Sequence, residues 1–146
     1  SAALLGVEAP SILHLACHGV FHPEHSMFSA LRMRDRWVTA YELADLDLTG
    51  ALVVLSACES GRLAVHAGDE LMGLPRAALL AGARDVVTSG WIAHDGTTAS
   101  LMRRFAEAVA RGAAPSAALR DAQLAVERER PHPFYWAAYT VTGQAK

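Results

Sequence analysis

Three apolar runs of strand length, at residues 11–16, 51–56 and 85–89, constrain this chain more than any other feature. Each is too short for a helix, and Leu52-Val53-Val54-Leu55 has no polar residue at alternate positions. A strand without alternation is buried on both faces, the pattern of a parallel sheet covered by helices above and below. The apolar fraction of 52% suits such a doubly covered sheet.

The segments between the runs read as follows. Residues 1–10 form a short helix or an irregular lead-in, and residues 19–29 a polar loop with His22, Pro23, His25 and Ser26. Residues 30–39 resemble a small hairpin turning at Asp35-Arg36, with Leu31, Met33, Trp37 and Val38 as strand residues. Thr39 followed by Glu42 fits a capping box for a short helix ending near Ala44. Asp69 or its neighbour opens a helix through Leu71, Leu74, Ala78 and Leu79, closed by Gly82. Pro75 within that pattern predicts either a kink or a helix beginning at the proline. Asp95 can cap the next helix, whose stripe is Leu101, Met102, Phe105 and Val109. Pro115 starts another, with Leu119, Ala122 and Val126 inward, and residues 134–141 read as a last strand. The alternation of strands and helices predicts an α/β layer fold with a mainly parallel sheet.

At 146 residues the chain is one domain, or part of one, with room for a real core. A net charge of -2 gives no electrostatic argument for nucleic acid or for an anionic membrane as partner. Two cysteines are too few for a disulfide framework, so a reducing cytoplasm is expected. The sequence shows no basic-then-apolar leader and no apolar run of about eighteen residues, and a soluble protein is expected. Abundant Ala and Arg suggest a GC-rich bacterial genome.

Chemistry concentrates in two words at strand ends. Cys17-His18-Gly19 follows the first strand, and Ser56-Ala57-Cys58-Glu59-Ser60-Gly61 follows the second. In an open parallel sheet, residues just beyond the C-terminal strand ends line the ligand crevice. Neighbouring strands lie about 4.8 Å apart, so an imidazole and a thiol from adjacent strand ends can meet there. Cys58 is the candidate nucleophile and His18 the acid–base group that protonates a leaving amine. Gly19 and Cys58 offer backbone N–H groups for an oxyanion. A lone cysteine at a strand end is more often core, and Cys17, pointing away from His18, is read that way.

Glu59, Asp69 and Asp95 are candidate substrate-binding residues near the same sheet edge, although Asp69 and Asp95 read more simply as ordinary helix caps. His14, His18 and His22 recur at four-residue spacing, which aligns ligands on a helix and not on a strand followed by a loop. No metal site is expected. His14 reads as a core histidine within its strand, and His22, His25, His66, His94 and His132 as loop or surface residues.

The two words and several later blocks together resemble a CHAT domain, the caspase-like peptidase domain often attached to tetratricopeptide repeats and distantly related to separases. The blocks are His14-Leu15-Ala16-Cys17-His18-Gly19, Leu55 to Gly61, Gly68-Asp69-Glu70, Gly73-Leu74-Pro75-Arg76-Ala77, Ala81-Gly82-Ala83, Trp91 with Asp95, and His132 to Ala138. The resemblance implies a caspase-type three-layer α/β/α fold and a Cys–His peptidase without metal or organic cofactor. Carried over by motif, His18 matches the catalytic histidine, Cys58 the nucleophile, and Gly19 the residue whose backbone helps bind the oxyanion. Gly90 and Ala93 around Trp91, and Pro75 after the Gly-Asp-Glu block, depart from the family's pattern. Such domains usually carry further strands ahead of the histidine strand. Residues 1–146 are therefore expected to be the C-terminal portion of a CHAT domain lacking those strands, and an uncovered parallel edge favours association.

Three functions compete. The first is a cysteine endopeptidase cleaving a specific protein substrate, regulated by an attached sensing domain or partner such as a tetratricopeptide-repeat domain. The second is a catalytically silent caspase-like interaction module. The third is another thiol chemistry, such as acyl transfer, on the same nucleophile.

Overall fold

The computed structural model describes residues 10–20, 22, 24–56, 70–91 and 94–143. Among these residues seven strands form two sheets: β1 (Ile12–Leu15), β2 (His18–Val20), β3 (Ala30–Arg32), β4 (Trp37–Thr39), β5 (Leu52–Leu55), β6 (Asp85–Ser89) and β7 (Tyr139–Gly143). The helices are α1 (Ala40–Ala44), α2 (Glu70–Leu80), α3 (Asp95–Ala110) and α4 (Pro115–Glu129).

The central sheet has the order β1-β5-β6-β7. β1, β5 and β6 are parallel, and β7 closes the far edge antiparallel to β6. Helices cover both faces, because β5 is apolar at every position. Val53 and Leu55 pack with Leu15, Val86, Leu43, Leu74 and Ala78 on the α1–α2 side. Leu52 and Val54 face the opposite way, against Leu101, Phe105, Leu119 and Val126 of α3 and α4. The expected α/β fold with a mainly parallel sheet is what the chain adopts.

β1 is the exception to this double cover. Leu15 is buried in the first core, but Ile12 is 48% exposed and His14 is also exposed. These two residues border a shallow apolar groove against Met102, Phe105 and Val109. His14 is therefore not the core histidine that its place in an apolar run suggested: on the edge strand it is exposed at the border of that groove. Its Nε2 lies 3.0 Å from the Ser56 hydroxyl instead.

The second sheet, β2-β3-β4, is antiparallel. Residues 18–20, the last two of them expected in a loop, form its first strand, opposite residues 30–32. The β3–β4 hairpin turns at Arg34-Asp35, one residue earlier than the sequence suggested, since the Met33 N–H donates to the Arg36 carbonyl at 2.9 Å. That register keeps Leu31 opposite Val38 on the buried face, and a one-residue slip would turn both outward.

Helix ends follow local chemistry. Thr39 and Glu42 form the expected capping box at α1. α2 runs unbroken through Pro75. It ends at Gly82, whose φ of +95° lets Ala83 N–H reach the Ala78 carbonyl and Gly82 N–H the Leu79 carbonyl. Two expectations shift. α3 is capped by His94, whose Nδ1 accepts from the Thr97 N–H at 3.5 Å, and Asp95 is its first helical residue. The last strand starts at Tyr139, because Pro133–Tyr135 forms a 3-10 turn capped by His132. Among the described residues no helix is long and apolar enough to cross a membrane.

Candidate active site

Parallel strands bring their C-terminal ends to one rim of the central sheet. β1 and β5 pair directly, Leu15 with Leu55, and the Ser56 N–H donates to the Leu15 carbonyl at 2.9 Å. Three residues beyond Leu15 stands His18, exposed at the first position of β2. β6 ends at the same rim, followed by Gly90 and Trp91, and antiparallel β7 starts there. The Gly90 N–H bonds the Ala138 carbonyl at 2.7 Å, and the Trp91 indole N–H donates to the Phe134 carbonyl at 3.3 Å. His94 and Tyr135 meet edge to face, their ring centroids 5.7 Å apart. The sequence blocks around His18, Trp91 and residues 132–138 thus converge at one end of the sheet.

Backbone geometry at Gly19 follows from its partner strand. The Met33 N–H bonds the Arg36 carbonyl, and the Ala40 N–H bonds the Ser29 carbonyl at 2.8 Å, both on the β4 side of β3. Antiparallel bonding alternates along a strand, so Leu31 also bonds toward β4 while Ala30 and Arg32 bond toward β2. Val20 and His18 oppose those two residues. Gly19, between them, directs its N–H away from β3 to the outer edge of the small sheet.

The loop after β2 is tied back by Ser29. Its buried hydroxyl accepts the His22 N–H at 3.1 Å, which satisfies a polar group that burial would otherwise penalise. Cys17 points the other way from His18. It is half-buried against the first core, and burial pushes its thiol pKa up. That is the packing role expected of it, and a raised pKa disfavours the reactive thiolate.

Of the remaining candidates, Asp95 is exposed in the first turn of α3. Cys58, Glu59, Asp69 and His66 lie outside the described residues. Among the described residues no group of three or more His, Cys, Asp or Glu side chains could hold a metal ion. His22, His25, His94 and His132 are exposed, as loop or surface residues should be.

One arrangement escaped the sequence reading. His18, Arg32 and Trp37 stand in one row across the exposed face of the small sheet, in direct register. The Arg32 guanidinium lies over the Trp37 ring, 5.7 Å from its centroid. The signal was present as alternation: Leu31 and Val38 point inward, Arg32 and Trp37 outward. Trp37, an apolar residue on the solvent face, obscured it.

The family model of the CHAT domain matches residues 2–144. The chain belongs to the CHAT domain family. The α/β sheet fits this caspase-like family. The chain is 34% identical over 113 residues to tetratricopeptide repeat protein 28 of Mus musculus, covering 76% of this chain and 5% of that protein. It is 31% identical over 113 residues to the Homo sapiens protein of the same name, covering 76% of this chain and 4% of that protein. The CHAT domain here thus spans only a small part of the length of these tetratricopeptide repeat relatives.

Proposed function

We propose that this CHAT domain is a cysteine endopeptidase that cleaves a protein substrate through Cys58 and His18. The observation that carries the reading is the position of His18. It is exposed three residues beyond the C-terminal end of β1, whose neighbour β5 ends at Leu55. Cys58 lies two residues beyond Ser56, a reach of at most about 7 Å.

In this reading the Cys58 thiolate attacks the scissile carbonyl carbon, forming the C–S bond as the carbonyl oxygen becomes an oxyanion. The N–H groups of Gly19 and Cys58 receive that oxygen, and the outward-directed Gly19 N–H is suited to the task. His18, protonated, gives its proton to the departing amine as the C–N bond breaks. Water, with His18 as base, then cleaves the thioester and restores the thiol. Glu59, Asp69 and Asp95 are proposed to contact the substrate. Residues 1–146 act as one unit in a cytoplasmic protein. A tetratricopeptide-repeat segment, of the kind that the relatives' names print, is proposed as its regulator.

Labelling with a thiol-directed peptide-like probe, read out by sequencing the modified peptide, tests this. Selective modification of Cys58 that is lost in His18→Ala is expected. Equal labelling of Cys17 and Cys58, indifferent to His18→Ala, would instead support a silent interaction module. Cleavage of a peptide library separates peptide hydrolysis from other acyl chemistry.

A further inference from the structure

We infer that Arg32, resting on the Trp37 ring beside His18, is a recognition site for an acidic side chain of the substrate, within one or two residues of the cleaved bond. The inference rests on the peptidase reading and adds the substrate's chemical class to it.

Register supplies the placement. By the bonding alternation derived above, His18 and Arg32 are a hydrogen-bonded pair and Arg32 and Trp37 a non-bonded one, with Cα separations of about 5.5 and 4.5 Å. An extended substrate advances about 3.3 Å per residue. A peptide whose scissile amide is within reach of the His18 imidazole therefore presents its adjacent side chains to Arg32.

Chemistry supplies the ligand. Arg36, Arg84, Arg103, Arg104 and Arg120 each pair with a carboxylate. Arg32, like Arg34, Arg76, Arg111, Arg128 and Arg130, has no carboxylate partner among the described residues. Arg130 also lies over a ring, that of Tyr135, but only Arg32 stands in direct register with His18. The cation–π contact with Trp37 uses the ring face and leaves the guanidinium donors for an anion, and the planar guanidinium suits bidentate carboxylate binding. The middle row of the sheet, Leu31 and Val38, is fully buried. Arg32 and Trp37 therefore stand on a rigid base, although the stability of the sheet does not need their charge and ring.

The test uses the purified chain with a fluorogenic peptide library in which Asp, Ala and Lys are exchanged at each position flanking the cut. Wild type should prefer Asp over Lys at one position by roughly tenfold in kcat/KM. The preference should shrink as ionic strength rises. Arg32→Glu should reverse it toward Lys, Arg32→Lys should keep its sign, and Trp37→Ala should weaken it. A role confined to folding cannot invert a charge preference. A library profile that Arg32→Glu leaves unchanged would overturn the inference while the peptidase reading stands. Failure of wild type to cleave any peptide or to label at Cys58 would remove the peptidase reading, and this site with it.

Discussion

The two sheets treat their exposed surface differently. In the central sheet β5 is buried on both faces, and two separate cores meet it there. In the small sheet only Leu31 and Val38 turn inward, while His18, Arg32 and Trp37 stand in the open. The first arrangement spends its side chains on stability and has none to spare for chemistry. The second is anchored by a single inward row, which leaves the outward row free to carry functional groups. A rigid layer holding a thinner, half-solvated one is a common way to position reactive residues precisely.

The comparison breaks most visibly under Phe105→Ala. Phe105 is 3% exposed among Leu101, Leu119 and Val126 beneath the central sheet. Its truncation should cost about 3–5 kcal/mol, read as a lowered urea midpoint with unchanged slope. A loss below about 1 kcal/mol would show that this face of the sheet is not the main source of stability.

Gly73→Ala tests the joint between the layers. A Cβ at Gly73 would stand 2.2 Å from the Ser26 carbonyl oxygen and 3.3 Å from the Ser29 hydroxyl. Backbone must move, at about 1–3 kcal/mol. Amide exchange should quicken in the 3-10 turn Ser26–Phe28 while β5 and β6 stay protected. Equal loosening of both sheets would mean that they unfold as one unit.

The smallest effect is in acid. The Thr39 N–H, then the Arg36 guanidinium, hold the Glu42 carboxyl at about 2, against the usual 4.5. Because the folded value is depressed, its contribution is present above about 4.5 and lost as pH falls toward about 2. Glu42 is partly exposed, so solvent screens the effect. The melting temperature of wild type should fall more steeply across that interval than that of Glu42→Gln. Parallel curves would remove the carboxylate from the account of α1.

The long elements were legible because burial leaves period and punctuation in the chain. β5, β6 and α2 with its Gly82 end, α3 with its stripe and α4 from Pro115 all stand where their patterns put them. The misses share another cause: each depends on a distant partner. Three residues at 18–20 are a strand only because residues 30–32 lie alongside. His14 is exposed because β1 is the edge strand of its sheet and the residue borders an open groove. His94 and His132 cap through ring nitrogens, although histidine is outside the usual set of capping residues. Of the candidate site, His18 and Gly19 could be placed from the first strand and its following word, whereas the Arg32–Trp37 row needed the hairpin register.

The contact between His14 and Ser56 joins two neighbouring strands by their side chains. The Ser56 N–H donates to the Leu15 carbonyl, while its hydroxyl lies 3.0 Å from the His14 ring. Main chain and side chain of Ser56 are thus both fastened to β1, and the backbone leaves β5 from a doubly anchored residue.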